Sequence, residues 1–128
     1  MSLRQLETFV AIAETGSFSA AADRLCVTQS AVSMQMKALE SEWQGTLFDR
    51  KTRPPVLNNN GWRLVEYARK LVAEYHNLAA VATAPVGELV GSVRLGVVPS
   101  VATGILPLVL LEIRQKHPGL RVRVESGL

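Results

Sequence analysis

Three runs of helical periodicity lie end to end in the first 43 residues, divided by turns of only a few residues, and this spacing constrains the fold more than any other feature. Between Leu3 and Thr15, the residues Leu6, Phe9, Val10 and Ala13 recur at i, i+3, i+4 and i+7, one apolar helical face, and Gly16 stops the run. "SFSAAADRL" follows, a helix of about two turns, with Ser17 or Ser19 as its N-cap and an alanine-rich body that lets a neighbour approach closely. After Cys26 and Val27, Thr28 is placed to cap a third helix running from Gln29 to about Trp43. In it Val32, Met36, Leu39 and Trp43 form an inward stripe, while Gln29, Ser30, Ser33, Met34 and Lys37 occupy the opposite face.

Gly45 is expected to end that helix, and "TLFDRKTRPPVLNNNG" breaks the helical pattern. Its Pro54-Pro55 pair and three consecutive Asn predict a short two-stranded ribbon or wing carrying Arg50, Lys51 and Arg53. From Gly61 to Ala84 the helical pattern returns, with Asn58 or Asn60 as cap. Leu64, Ala68, Leu71, Tyr75, Leu78 and Ala82 form an a/d seam there of about two and a half heptads. A helix of this length spans ~36 Å, more than a 60-residue neighbour covers. A second chain is the expected cover, and packing against its own domain is the alternative. "TAPVGELVG" then reads as a hinge. Beyond it, Val93, Leu95 and Val97 alternate as a strand, "PSVATGILPLVLLEIRQKHPG" reads as loop and helix, and Leu120, Val122 and Val124 alternate as a second strand. Pro107 is expected to break or restart the helix, and Pro118-Gly119 to end it.

The formal charge of +3 is unevenly placed. Residues 1–53 balance six cations against six anions, residues 54–90 three against three, and the excess lies in 91–128. Any affinity for a polyanion must therefore come from where charges and amides point. The single cysteine, Cys26, excludes an intrachain disulfide framework and fits a reducing cytosol. Its expected role is that of a small buried hydrophobe rather than a redox group. His76 and His117 lie far apart, so no metal cluster is legible. No signal peptide is visible, and the uncharged run from Leu95 to Leu111 is broken by Pro99, Gly104 and Pro107 and falls short of the ~20 residues of a membrane span. Neither a Ser-His-Asp or Cys-His arrangement nor a pair of carboxylates points to an enzyme.

Two helices joined by a tight turn suggest a helix-turn-helix. Ala22, Cys26 and Val32 fall where that motif needs a small residue at the crossing, a compact residue in the turn and a β-branched residue in the shared core. The motif lays its second helix in the major groove with N-terminal side chains facing base edges. Gln bonds adenine, Ser donates or accepts, and a Met side chain contacts a thymine methyl. Backbone amides at the helix starts, near Ser17 to Ser19 and Thr28 to Gln29, bind phosphate without a cationic side chain.

"LRQLETFVAIAETGSFSAAADRLCVTQSAVSMQMKALE", followed by "LFDR" and later by "GSVRLGVVPSVATGILPLVLLEIRQKHPGLRVRV", resembles the LysR-type transcriptional regulators over nearly the whole chain. The fold this implies is mainly α. It comprises a winged helix-turn-helix (residues 1–60), a linker and dimerisation helix (61–84), a hinge (85–91), and an incomplete α/β (βαβ) fragment of a periplasmic-binding-protein-like effector domain (92–128). The resemblance further implies a bacterial, cytoplasmic, nucleoid-associated regulator that binds double-stranded operator DNA as a homodimer, often assembled as a tetramer. A small-molecule coinducer is its expected effector, without cofactor or metal. Gln29, Ser30, Ser33, Met34 and Lys37 are then the base-facing residues, and Ser17, Ser19, Thr28, Arg50, Lys51 and Arg53 the phosphate contacts. Leu64, Ala68, Leu71, Tyr75, Leu78 and Ala82 are the dimer seam, and Ser100 and Thr103 the coinducer contacts.

The chain departs from the family pattern at Ser30, usually Pro, at Met34, often Arg, and at Asn58, where Thr is common. It also stops just after its second strand, so a fragment of a longer regulator is expected, with ~150 or more residues beyond it. The rival expectation is a truncated regulator that acts as a heterodimerising, dominant-negative interaction module.

Overall fold

The first helix, α1 (Leu3–Thr15), starts at a capping box: Ser2 Oγ accepts from the Gln5 amide (3.3 Å), and Gln5 Oε1 accepts from the Ser2 amide (2.9 Å). Gly16 ends it at φ 82°, a left-handed conformation that costs least without a Cβ. Ser17 caps α2 (Phe18–Leu25) by accepting from the Ala20 amide, and Ser19, the other candidate, lies inside that helix. Cys26 closes α2 in the left-handed region, φ 55°, as the Val27 amide bonds the Ala22 carbonyl (3.0 Å). Glycine adopts that conformation most easily, which accounts for its frequency at such turns. Cys26 is exposed there, contrary to the buried role expected of it. Thr28 caps α3 (Gln29–Trp43) through a bond from the Ala31 amide. The helix ends at Gln44, φ 52°, one residue before the expected Gly45.

The computed structural model describes residues 1–126. They divide into two units, Met1–Ala73 and the residues from Glu74 onward. In the first unit, Phe9, Val32, Met36, Leu39, Leu47 and Val65 are fully buried. Edge-to-face ring contacts link its elements: Phe9 meets Trp43 and Phe48 at centroid distances of 6.2 Å, and Phe18 meets Phe48 at 4.9 Å. Phe48 belongs to β1 (Phe48–Asp49), which pairs antiparallel with β2 (Val56–Leu57) in the register Phe48↔Leu57. This is the expected wing.

The long helix, α4 (Asn59–Thr83), begins two residues earlier than its periodicity predicts. Asn58 is its cap, with Oδ1 accepting from the Gly61 amide (2.8 Å), whereas Asn60 donates from Nδ2 to the Thr46 carbonyl (3.2 Å). Gly61 presses so closely on the wing base that an added Cβ would collide with the Leu47 carbonyl oxygen and lie 2.7 Å from Leu57 Cδ2. The expected seam is divided. Ala68 is buried in the first unit's own core, with Leu64 half-buried against it. Leu71, Tyr75 and Leu78 remain 53%, 49% and 66% exposed, and Ala82 is exposed too. The residue at the i+1 position of the seam, Val65, takes the deepest place because the core lies to one side of the heptad stripe.

In the second unit, β3 (Gly91–Val97) pairs parallel with β4 (Leu120–Ser126), from Gly91↔Leu120 to Val97↔Ser126. Two helices make the crossover, α5 (Pro99–Thr103) and α6 (Leu106–Lys116), because Pro107 suits the first turn of a helix and not its interior. Asn77 ties the second half of α4 to this unit, its Oδ1 accepting from the Ser92 amide and hydroxyl, both at 3.0 Å. The two units part within α4, after Ala73. The last two residues of the expected 92–128 segment lie outside the described residues. Val93 and Leu95 of β3 stay exposed, as expected of a two-stranded parallel sheet too small to be covered on both faces, and so do Leu108 and Leu111 of α6. Replacing Gly61 with alanine is expected to cost about 1–3 kcal/mol by overpacking, despite alanine's better helix propensity. Urea unfolding of the two forms measures it, and an equal or higher midpoint for Gly61→Ala would rule out the tight junction.

Candidate nucleic-acid interface

α3 carries two faces with separate duties. Val32, Met36 and Leu39 are fully buried, whereas Gln29, Ser30, Met34 and Lys37 are exposed and Ser33 is half-buried. At about 100° per residue, these five outward side chains span an arc of about 140°. Met34, at 71% exposed, leaves a large apolar side chain in solvent at one edge of that arc. The side chains of Gln29, Ser30, Ser33 and Lys37 form no hydrogen bond or ion pair among the described residues, so their polar groups are free for a ligand.

The helix starts are arranged for anions. Ser17 and Thr28 satisfy the third amide of α2 and α3, leaving the amides of Phe18, Ser19, Gln29 and Ser30 without an acceptor among the described residues. Ser17 and Thr28 hydroxyl oxygens are committed as acceptors, yet each keeps its own proton to donate. Ser19 is exposed within the first turn of α2.

On the wing, the expected trio of phosphate cations is unequal. Arg50 donates to Glu40 Oε2 (2.8 Å), so one edge of its guanidinium is already occupied. Glu40 Oε1 accepts from the Leu47 amide (2.8 Å), and its side chain is only 13% exposed. One carboxylate on the reading helix thereby holds both the wing base and the wing's first cation. Lys51 and Arg53 are exposed, and neither side chain makes an ion pair among the described residues. Sequence reasoning missed Glu40, whose partners lie seven and ten residues away at no regular spacing. It also missed Thr8 and Gln35, which hydrogen-bond each other between α1 and α3. Thr8 left no trace in the sequence, since Glu7 beside it breaks the same stretch with a charge.

The expected coinducer residues are not assembled into a site. Ser100 is exposed and does not cap α5, whose N-cap is Val98, and Thr103 donates its hydroxyl to the Pro99 carbonyl of its own helix (3.3 Å). Among the described residues no group of three or more His, Cys, Asp or Glu could hold a metal ion, and no helix is long and apolar enough to cross a membrane.

Residues 3–62 match the family described as bacterial regulatory helix-turn-helix protein, lysR family. The chain is 36% identical over 124 residues to the HTH-type transcriptional regulator BenM of Acinetobacter baylyi, covering 97% of this chain and 40% of that protein. Among solved structures it resembles HinK, a LysR family transcriptional regulator from Pseudomonas aeruginosa, with a TM-score of 0.68 at 30% identity, over 98% of this chain and 41% of that one. It also resembles full-length CbnR complexed with its target DNA, with a TM-score of 0.74 at 30% identity, over 99% and 43% of the two chains. The chain spans about two fifths of the length of these relatives.

The wing's dependence on Glu40 has a measurable consequence. Glu40→Ala frees the Leu47 amide and Arg50 together, and is expected to lower stability by about 1–3 kcal/mol in urea unfolding. A loss below a few tenths would mean the wing is held without that carboxylate.

Proposed function

We propose that the chain, whose residues 3–62 match the lysR family of bacterial regulatory helix-turn-helix proteins, carries the DNA-reading part of a sequence-specific transcriptional regulator. The observation that carries this reading is the free outward arc of α3, polar and uncommitted, beside helix starts with unused amides and a wing with two unpaired cations. Gln29, Ser30, Ser33, Met34 and Lys37 face base edges. The amides near Ser17, Ser19 and Thr28, with Lys51 and Arg53, bind phosphates, and Arg50 serves through the edge Glu40 leaves free. Met34 offers an apolar contact suited to a thymine methyl.

Two copies bind one operator. The exposed Leu71, Tyr75 and Leu78 of α4 supply the pairing surface, and two reading helices then meet half-sites about 34–36 Å apart. Residues 1–60 are the DNA-binding domain, 61–84 the linker, 85–91 a hinge, and 92–128 the start of an effector domain. That effector domain takes a small-molecule coinducer in the full-length protein, which acts as a dimer or tetramer on chromosomal DNA in the bacterial cytoplasm.

Selection of bound sites from random duplex DNA tests the reading, with recovery of a palindromic site as the expected result and recovery of no preferred sequence as the one that defeats it. Against the selected site, Gln29→Ala is expected to cost about 1–3 kcal/mol at one base position and to relax discrimination there. Arg53→Ala is expected to weaken all sequences alike and to reduce the salt slope by about one unit. Leu71→Lys is expected to yield monomers in sedimentation and weak operator binding; an unchanged profile would remove Leu71 from the pairing surface. Dimers that bind no duplex would favour a protein-interaction module instead.

A further inference from the structure

The reading face of α3 is useful only if the helix is held at one rotation about its axis. Side-chain tips ride about 5–6 Å from a helix axis, so a turn of 20° sweeps them by about 2 Å, enough to break a hydrogen bond to a base edge. Val32, Met36 and Leu39 bury α3, but apolar contacts are non-directional and tolerate such a turn. Polar ties are directional, and α3 has few of them. Thr28 caps its start from within the local chain, Glu40 holds the wing near its end, and Glu42 in the last turn pairs with the exposed N-terminal ammonium. Between these, the tie to another helix is Gln35, whose side-chain amide meets the Thr8 hydroxyl of α1 across 27 residues of sequence.

Thr8 is built for the task. It is 1% exposed in an otherwise apolar core, and its one hydroxyl proton lies between two acceptors, the Gln35 side-chain oxygen and the Arg4 carbonyl one turn back (2.9 Å). Gln35 is half-buried and directly follows the exposed Met34. We propose that Thr8 and Gln35 are positioning residues that fix the rotation of the reading helix, and so govern discrimination between sequences without touching DNA. This rests on the DNA-reading function proposed above.

The test compares affinity for the duplex selected by the unaltered chain with affinity for a random-sequence duplex. Thr8→Val keeps the shape of the side chain and removes the hydroxyl. It is expected to lower the selected-to-random ratio about tenfold, the equivalent of one well-placed base contact, with random-duplex affinity and salt slope unchanged. Thr8→Ser is expected to retain the ratio. The double variant Thr8→Val with Gln35→Leu removes both polar groups, so it is expected to recover the thermal stability lost in Thr8→Val while the ratio stays low. A ratio unchanged in Thr8→Val, a ratio that recovers together with stability in the double variant, or an equal loss on both duplexes would each overturn the positioning role. An unaltered chain that does not distinguish the two duplexes would instead overturn the DNA-reading function on which that role stands.

Discussion

Leu47 is where the first unit's parts meet. Its side chain is fully buried, its amide donates to Glu40 at the end of the reading helix, and its carbonyl accepts from the Asn58 amide (3.0 Å) at the start of the long helix. Gly61 lies against the same carbonyl with no room for a side chain. Both backbone groups of one buried residue are therefore spent joining three elements, which satisfies them without water. The wing follows directly from it in the chain, and Phe48, the next residue, carries the ring contacts to Phe9 and Phe18.

That junction also shapes the electrostatics. The first 53 residues are formally neutral, and pairing Arg50 with Glu40 and Arg24 with Glu14 takes two of six cations out of free circulation. Exposed pairs of this kind add about 0–1 kcal/mol each, so Glu14 and Arg24 matter little for stability. The other four cations are Arg4 on α1 and Lys37, Lys51 and Arg53, the last three exposed and without an ion pair among the described residues.

In the second unit the cation excess is concentrated differently. Arg94 pairs in register with Arg123 across the parallel strands, placing like charges side by side on one face of the sheet. Val93, Leu95, Val122 and Val124 alternate with them. The pattern of apolar and charged positions was legible as two strands, because side chains alternate with a period of two whatever covers the sheet. The pairing of the two arginines required the register, which no single strand encodes.

Much of the first unit could be read from residue order. The limits of α1 and α3, the inward stripe Val32, Met36 and Leu39, the cap at Thr28 and the wing all follow from local rules. What local rules leave open is of one kind. Periodicity marks one stripe along α4, but the core takes Ala68 and Val65 and leaves Leu71 and Tyr75 exposed, because which side of a helix is covered depends on what packs there. Residue type favours burial for Cys26, but its left-handed turn leaves it exposed. Gln44, not Gly45, closes α3 for the same reason, since a left-handed cap is set by the bonds it completes. Periodicity and capping belong to one segment at a time, so the sequence by itself determined the helices and their inward faces. Thr8 with Gln35, Glu40 with Leu47 and Arg50, and Gly61 against Leu47 were decided by the tertiary structure alone, because a directional bond or a close approach exists only once distant segments are placed within ångströms of each other.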